Sequence, residues 1–255
     1  MPNVRNANDF IVTPQRFSRL IEDAGVPKDT STIAVAVSGG PDSMALLTML
    51  AEWAGNRGVT LNALTVDHGL RPESAREAAK VAFWCGKMGV AHSILPWLGK
   101  KPGSGIQEAA RKARYRLLEG WCNANGCGVL FLGHTMNDQA ETFLMRMSRG
   151  SGVDGLAGMP LVSFSDGIRI IRPLLSLSKE LLKATLSGRS VGWIEDPSNT
   201  DGRFSRVAIR RQLDRFERMG ISIASVAGAA RIFGQLRADA ENDLRNLADR
   251  YADDT

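Results

Sequence analysis

The stretch Thr32–Ser43 reads TIAVAVSGGPDS, an apolar run that passes directly into two glycines, a proline and an aspartate. The β-branched and small apolar residues of Thr32–Ser38 predict a buried strand, and Ser43–Ala54 predicts a helix. Two adjacent glycines between them allow the backbone to turn tightly and to approach an anion closely. Because the first turn of a helix offers N–H donors and positive dipole charge, this stretch predicts a phosphate-binding loop.

Strands and helices alternate around this loop through the first half of the chain. Further strands are predicted at Thr60–Asp67, His92–Trp97 and Val129–His134, and helices at Glu73–Met88, Ile106–Asn123 and Asn137–Ser148. Strands joined by helices of this length need right-handed crossovers, which predicts an α/β fold with a mainly parallel, doubly wound sheet. Ligands of such sheets bind at the carboxyl ends of the strands, where the strand order reverses.

After residue 150 the sequence becomes rich in turns and then helical. We predict a short β-like stretch at Ile168–Ile171, a helix at Ser178–Leu186, and helical structure from Phe204 onward with a break near Gly220. The predicted domains are residues 1–216 and a helical segment over residues 217–255. Because the chain stops in YADDT with no closing element, we expect the natural protein to continue as a C-terminal region.

Composition limits the class of protein. The 255 residues are 44% hydrophobic and 23% charged, which is ordinary for a globular chain. No apolar run is long enough for a membrane span and no secretory signal begins the chain, so we expect a cytoplasmic protein without a membrane partner. The net charge of +5 fits a polyanionic partner without identifying it. The cysteines Cys85, Cys122 and Cys127 form no CxxC pair and are expected to be reduced and structural.

The predicted loop carries one residue that phosphate binding alone does not explain. Backbone N–H groups and the hydroxyls of Ser38 and Ser43 suit phosphates, whereas the carboxylate of Asp42 should repel them. Asp42 is explained if it holds a Mg²⁺ ion that bridges to the phosphates. The alternative is a glycine turn followed by a helix cap made by serine and aspartate. No GxxxxGKS or GxxxxGKT motif occurs, so this is not a Walker A loop.

Two more polar clusters follow predicted strands. Asp67-His68-Gly69-Leu70-Arg71 comes after the second strand, and it could also be a solvated turn. His134, Asp138 and Glu141 come after the fourth strand at spacings of four and three, which could place them on one helix face. The alternative for the two acids is a plain acidic first turn, which the helix dipole favours. Three polar clusters at one end of a sheet predict a single site.

Two groups of arginines are candidates for binding anions. Arg111, Arg114 and Tyr115 are predicted on one helix face, where guanidinium groups suit phosphates, although a solvated basic face is the alternative. Residues 203–218 contain a denser group with helical spacing, for which RNA backbone phosphates are the natural partner and an exposed salt-bridged helix is the alternative. Its members are Arg203, Arg206, Arg210, Arg211, Arg215 and Arg218.

The order of these motifs resembles a known family. SGGPDS matches the SGGxDS signature of the PP-loop, or N-type, ATP pyrophosphatases. Residues 33–211 as a whole resemble the tRNA(Ile)-lysidine synthetase family, through SGGPDS, DHGLR, IQEAARKARYRLL, LGHTMNDQAETFLMRMSRGSGVDGLAGM, IRPLL and WIEDPSNTDGRFSRVAIRR. Two positions depart from the family pattern. Asn137 stands where the first of two acids is frequent, and Val207 stands at the Asn position of an RNxIR motif.

The resemblance implies a two-step ligation with ATP and Mg²⁺ as cofactors. ATP would be cleaved between its α and β phosphates to adenylate C2 of the wobble cytidine in tRNA(Ile) with a CAU anticodon, and free L-lysine would then displace AMP. Asp42, His134, Asp138 and Glu141 are the predicted catalytic residues, with Asp42 as the metal ligand. The predicted ATP-binding residues are Ser38, Gly39, Gly40, Pro41, Asp42, Ser43, Asp67, His68, Arg111 and Arg114, and the predicted RNA-binding residues are Arg203, Arg206, Arg210 and Arg211.

Other functions and assemblies stay open at this point. A PP-loop tRNA thiolase would adenylate the same kind of carbonyl but deliver sulfur, and such enzymes commonly need paired cysteines. A non-catalytic module that binds nucleotide or RNA is the other alternative, against which the intact Asp42 and Ser43 argue. A homodimer is also kept open.

Overall fold

The computed structural model describes residues 10–195 and 205–253. Six strands form one sheet in the order β3-β2-β1-β4-β6-β5, in which only the β5–β6 pair is antiparallel. The strands are β1 (Thr32–Ala36), β2 (Thr60–Asp67), β3 (Ala91–Pro96), β4 (Val129–Phe131), β5 (Val162–Ser165) and β6 (Ile168–Ile171). The helices are α1 (Pro14–Asp23), α2 (Pro41–Gly55), α3 (Ser74–Lys87), α4 (Ile106–Ala124), α5 (Met136–Met147), α6 (Val153–Leu156), α7 (Lys179–Gly188), α8 (Ser205–Arg218) and α9 (Ile223–Asp253).

The sheet has a hydrophobic core on each face, because successive residues of a strand point to opposite sides. Ile33 and Val35 of β1 enter one core with α1, α2, α3 and α7, while Ala34 enters the other with α4. Helices on both faces of a mainly parallel sheet make the fold doubly wound, and the predicted fold class is confirmed. The central strands are buried on both sides, which explains why β1 is a continuous apolar run rather than an alternating one.

The strand order reverses between β1 and β4, since the chain builds outward from β1 to β3 and then returns to the other side of β1. The SGGPDS loop follows β1, and His134 follows β4. These two segments therefore lie at the carboxyl ends of neighbouring strands, at the position where α/β sheets bind ligands.

Three elements were missing from the sequence prediction, namely α1, α6 and β5, and two of them carry local signals. Helix α1 begins with Thr13 as the N-cap and a proline at the first helical position, which is a common helix start. Strand β5 pairs with β6 through a two-residue turn, in which Asp166 and Gly167 have φ of 50° and 77°. Asp-Gly is a favoured sequence for such hairpins because both residues must adopt positive φ.

By contact density the described residues divide into two compact units, residues 10–134 with 161–195 and residues 135–160 with 205–253. The second unit has its own core, made by α5, α8 and α9. The predicted break near Gly220 is confirmed, since Gly220 has φ of 85° and separates α8 from α9. Arg146 donates hydrogen bonds to the carbonyls of Gly155 and Gly158, which holds the glycine-rich segment after α5. The domain boundary predicted after residue 216 falls inside α8 and stays a prediction.

Within the part of the chain that the structure describes, no single helix is long and apolar enough to cross a membrane. Helices α8 and α9 together reach that length and composition, but only across a bend of 111°.

Candidate active site

The SGGPDS loop is stabilised by hydrogen bonds that involve its two serines. Ser43 Oγ accepts a hydrogen bond from the Ser38 backbone N–H at 3.2 Å and donates one to the Gly40 carbonyl at 3.0 Å. Gly40 is the N-cap residue of α2, and Pro41 follows at the first helical position. A Cβ on Gly40 would meet no neighbour closer than Ser38 Oγ at 3.7 Å, so the backbone there is open to an incoming anion. The loop joins an accessible backbone to a helix N-terminus, which suits a phosphate.

Gly39 occupies a position that only glycine fits. Its φ is 86°, a conformation that other residues rarely adopt. Its carbonyl accepts a hydrogen bond from the Ile194 backbone N–H at 2.8 Å. A Cβ on Gly39 would lie 2.6 Å from Ile194 Cδ1 and 3.0 Å from Val81 Cγ2. The loop is therefore held from behind by the segment that precedes residue 196.

Asp42 lies beside a lysine that the sequence analysis did not single out. Asp42 Oδ2 is 3.5 Å from Lys179 Nζ, and the two side chains are 19% and 25% exposed. The N-cap position of α2 belongs to Gly40, so helix capping does not account for the Asp42 carboxylate. Across the described residues, no group of three or more His, Cys, Asp or Glu side chains could hold a metal ion. Mg²⁺ fits this arrangement nonetheless, because it is commonly held by one or two carboxylates together with phosphates and water.

The end of β4 passes directly against the loop. A Cβ on Gly133 would lie 3.1 Å from Ser43 Cα and 3.2 Å from both the carbonyl carbon and oxygen of Asp42. Glycine at this position is what allows the two backbones to approach. His134 follows at once and is half-buried, with its Nδ1 shielded from solvent. His134 is thus a neighbour of the loop by strand order, as the sequence predicted.

The cluster after β2 is brought together with Arg114 of α4. Asp67 Oδ1 accepts a hydrogen bond from the Gly69 backbone N–H at 2.9 Å, so this carboxylate shapes the turn. Burial lowers the pKa of His68, and the Arg114 guanidinium lowers it further, while the Asp67 carboxylate opposes them. His68 is therefore neutral at pH 7. It packs edge-on against Trp97 with ring centroids 5.9 Å apart.

Arg111 and Arg114 share a helix face, as predicted, because both guanidinium groups lie over the Tyr115 ring at 5.1 and 5.7 Å from its centroid. Their surroundings differ. Arg114 is half-buried and acts on His68, whereas Arg111 is exposed. Arg111 lines an open groove of about 580 Å³ along α4 together with Glu108, Lys112, Arg116, Glu119 and Ser165. A role for Arg114 in the nucleotide site has more structural support than one for Arg111.

The two acids of α5 have different environments. Asp138 Oδ2 accepts hydrogen bonds from the backbone N–H and the hydroxyl of Thr135, both at 2.8 Å, and forms a capping box at the start of α5. This is the first-turn role that the sequence analysis had as its alternative. Asp138 therefore stabilises the start of α5.

Glu141 is almost fully buried, with a side chain 3% exposed, and forms an ion pair with Arg210 of α8. Arg210 Nε lies 2.6 Å from Glu141 Oε1. The other oxygen, Oε2, is shielded from solvent and accepts no hydrogen bond from any residue that the structure describes. A buried carboxylate oxygen without a donor is costly.

A family model described as a PP-loop domain matches residues 12–216.

The chain belongs to the PP-loop family.

Among curated proteins, this PP-loop chain is 46% identical over 229 residues to the tRNA(Ile)-lysidine synthase of Bradyrhizobium sp., an alignment that covers 88% of this chain and 63% of the relative. It is 44% identical over 219 residues to the tRNA(Ile)-lysidine synthase of Rhodopseudomonas palustris, covering 85% and 63%. The chain thus spans less than two thirds of the length of these relatives. Among solved structures, the U34-tRNA thiolase NcsA of Methanococcus maripaludis superposes with a TM-score of 0.75 at 18% identity, over 90% of this chain and 80% of that one. That likeness concerns the fold alone.

The cysteines of this PP-loop protein are buried and lie in two separate places. Cys85 is in the core on the α3 face of the sheet, and Cys122 and Cys127 are in the core on the α4 face. Burial raises the pKa of the Cys85 thiol to about 11. A hydrogen bond from Cys122 lowers the pKa of the Cys127 thiol. Since Cys85 is separated from the other two by the sheet, the three thiols cannot converge on one cluster.

The predicted RNA-binding arginines are only partly described. Arg203 and the side chain of Arg206 lie outside the described part of the structure. Arg211 is exposed on α8, whereas Arg210 is the ion-pair partner of Glu141. An arginine that is 31% exposed and paired to a buried acid is less available for RNA phosphates than its exposed neighbour.

Three residues at the PP-loop were missed by the sequence analysis: Gly133, Lys179 and Ile194. Lys179 carried a signal that was overlooked. It is the first residue of α7, directly after the N-cap Ser178, where the helix dipole disfavours a cation. A lysine in an unfavourable position of this kind indicates a function other than helix formation. The roles of Gly133 and Ile194 depend on packing between distant segments, so no local sequence pattern indicates them.

Proposed function

We propose that this PP-loop protein joins L-lysine to C2 of the wobble cytidine of tRNA(Ile) with a CAU anticodon. The C2 oxygen forms a bond to the α-phosphorus of ATP as pyrophosphate leaves. The ε-amine of lysine, after losing a proton, then forms a bond to C2 as the C2–O bond breaks and AMP leaves. The relatives named above support the choice of tRNA and lysine as substrates.

The geometry of the PP-loop supports the first step. Backbone N–H groups at the start of α2 and the hydroxyl of Ser38 bind the phosphates, and Asp42 is the residue that would hold Mg²⁺. The metal, when bound, stabilises charge on the departing pyrophosphate. Neutral His68 and the Arg114 guanidinium bind the nucleotide at the end of β2, and a neutral imidazole can hydrogen-bond there without adding a charge. We assign His134 to contact either the phosphates of ATP or the amine of lysine.

The single observation that carries the lysine step is the buried Oε2 of Glu141. Lysine enters with two ammonium groups, and each needs an acceptor when it leaves water. Arg210 already contacts Oε1 of Glu141, which fixes the orientation of the carboxylate, while Oε2 is available to an ammonium. Asp138, fixed by Thr135, is the second acid assigned to the amine.

Product analysis tests this proposal against the alternatives. The protein is incubated with ATP, Mg²⁺ and the tRNA, once with lysine and once with sulfide as the only nucleophile. We expect pyrophosphate release and a modified cytidine that contains lysine. A thiolated nucleoside, formed only with sulfide, would replace the proposal by a thiolase, although the separated cysteines disfavour that outcome. Nucleotide binding without Mg²⁺-dependent pyrophosphate release would indicate a non-catalytic module.

Glu141→Gln is expected to impair the lysine step selectively. Glutamine keeps the shape and can still accept a hydrogen bond from Arg210, but it removes the charge that holds the ammonium. A hydrogen bond to a charged group contributes about 1.5–3 kcal/mol, so KM for lysine should rise roughly tenfold to a hundredfold. Pyrophosphate release and lysine incorporation are measured separately, with Glu217→Gln, an exposed acid of α8, as the control. An equal loss in both steps would show that Glu141 is not specific for lysine.

Arg211→Ala is expected to weaken tRNA binding several-fold and to reduce the slope of log Kd against log salt by about one, as for a lost phosphate contact. ATP binding should not change. Arg211 is a cleaner test than Arg210, because Arg210→Ala also removes the partner of Glu141. The matched control is Arg19→Ala, which removes the same charge from an exposed position of α1. Identical salt dependences for the Arg211 and Arg19 variants would contradict an RNA contact at Arg211.

A further inference from the structure

We infer that Lys179 is a phosphate-binding residue that exchanges partners. It neutralises Asp42 while the nucleotide site is empty, and it turns to the phosphates of ATP when Mg²⁺ takes the Asp42 carboxylate. The inference rests on the proposed ATP chemistry and adds to it a residue that competes with the metal for the same carboxylate.

The backbone of Lys179 is fixed beside the PP-loop. Ser178 caps α7 through a hydrogen bond from the Leu181 backbone N–H at 3.3 Å to its hydroxyl. Leu182 and Leu186 of the same helix are fully buried in the core that α2 shares. Since α2 carries the PP-loop at its start, the position from which the Lys179 side chain extends is set by packing, and only the flexible four-carbon side chain remains to move.

The contact between Lys179 and Asp42 is suited to exchange. The distance from Nζ to Oδ2 is 3.5 Å, longer than the 2.7–2.9 Å typical of a charge-assisted hydrogen bond. Both side chains are partly buried, so each charge benefits from the other while the site is empty. At this distance the two opposite charges attract each other. A stronger anion or a stronger cation can therefore separate the pair at modest cost.

Charge balance gives the direction of the exchange. A carboxylate with a lysine on it is a poor site for a dication, because the ammonium repels the metal. When ATP arrives with Mg²⁺, the Asp42 carboxylate would hold the metal in place of the Lys179 ammonium. The ammonium is then left next to the most negative group in the site. Lysine, a compact and mobile point charge, is suited to follow phosphate oxygens in this way.

If Lys179 exchanges partners in this way, Lys179→Gln should change the affinities for two ligands in opposite directions. Without the competing ammonium, Mn²⁺ alone, used as a spectroscopic probe for Mg²⁺, should bind the nucleotide-free protein about threefold to tenfold more tightly. Pyrophosphate with Mn²⁺ should bind at least roughly tenfold more weakly, because a phosphate-binding cation is lost. Metal binding is measured by electron paramagnetic resonance and pyrophosphate binding by calorimetry.

Two further variants make the test specific. Lys179→Arg keeps the charge and should keep both the weak metal binding and most of the pyrophosphate affinity. Lys183→Gln removes the exposed lysine one turn further along α7, which pairs with Glu195 at 3.0 Å, and should alter neither ligand. Thermal melts of all three variants check that the fold is retained.

The outcomes separate this inference from the proposed function. Effects of the same sign on metal and pyrophosphate, or no effect on either in folded Lys179→Gln, would overturn the exchange while ATP chemistry by the wild type stands. A wild-type protein that binds neither pyrophosphate nor ATP would instead overturn the proposed function itself.

Discussion

Replacing Asp42 by asparagine is expected to slow pyrophosphate release roughly a thousandfold in a protein that remains folded. Asparagine keeps the size of the side chain but removes the negative charge that holds Mg²⁺, and a hard dication prefers an anionic ligand. Losing the metal's stabilisation of the leaving pyrophosphate costs about 4 kcal/mol of activation free energy. The fold should tolerate the change, because the N-cap of α2 is Gly40 and the partner of Asp42, Lys179, is partly exposed.

The measurement combines pyrophosphate release with a thermal melt of the same preparation. Glu108→Gln is the matched control, since Glu108 is also an acid in the first turn of a helix and pairs with a lysine, Lys112, at 2.8 Å on an exposed surface. If Asp42 only stabilised its helix, both variants would keep activity within a few-fold of wild type. That result would remove the PP-loop from the proposed mechanism.

Gly39→Ala is expected to destabilise the protein by about 2–6 kcal/mol and to abolish nucleotide binding. A positive φ costs a non-glycine residue about 1–3 kcal/mol, and overpacking in a filled region adds a similar amount. Here the new methyl group would lie 2.6 Å from Ile194 Cδ1, so the loop or the Ile194 segment must move. Urea unfolding gives the stability, and calorimetry with ATP gives the binding.

The neighbouring glycine supplies the control for this prediction. Gly40 has φ of −69°, and an added Cβ would meet only Ser38 Oγ at 3.7 Å. Gly40→Ala should therefore cost at most about 1 kcal/mol, from the poorer N-cap. Equal stabilities for the two variants would mean that Ile194 and Val81 do not constrain the loop as the structure has them.

Most of the fold could be predicted because its signals are local. The apolar run at Thr32–Ser38, the periodic helices and the glycine break near residue 220 each reflect the chain's own periodicity or turn chemistry. The SGGPDS loop could be predicted equally well, since two glycines and an aspartate between a strand and a helix strongly restrict the possible ligands. The Asp-Gly hairpin turn and the Thr-Pro helix start were also local, and a closer reading would have found β5 and α1.

The rest of the candidate site depends on contacts between residues far apart in sequence. Glu141 and Arg210 were assigned to lysine and to RNA separately, and no pattern in the sequence indicates that they form one ion pair. Lys179 and Asp42 are likewise brought together only by the packing of α7 against α2. Asp138 shows the opposite case, since its spacing from Thr135 predicts a capping box without any tertiary information.

We propose that this PP-loop protein attaches lysine to a tRNA base. The most direct measurement is the transfer of radiolabelled L-lysine to tRNA(Ile) with a CAU anticodon, in the presence of ATP and Mg²⁺, followed alongside AMP release. We expect acid-stable label on the tRNA, one AMP for each lysine, and no labelling when the wobble cytidine is replaced by uridine. AMP and pyrophosphate release with no lysine on the tRNA would contradict this proposal.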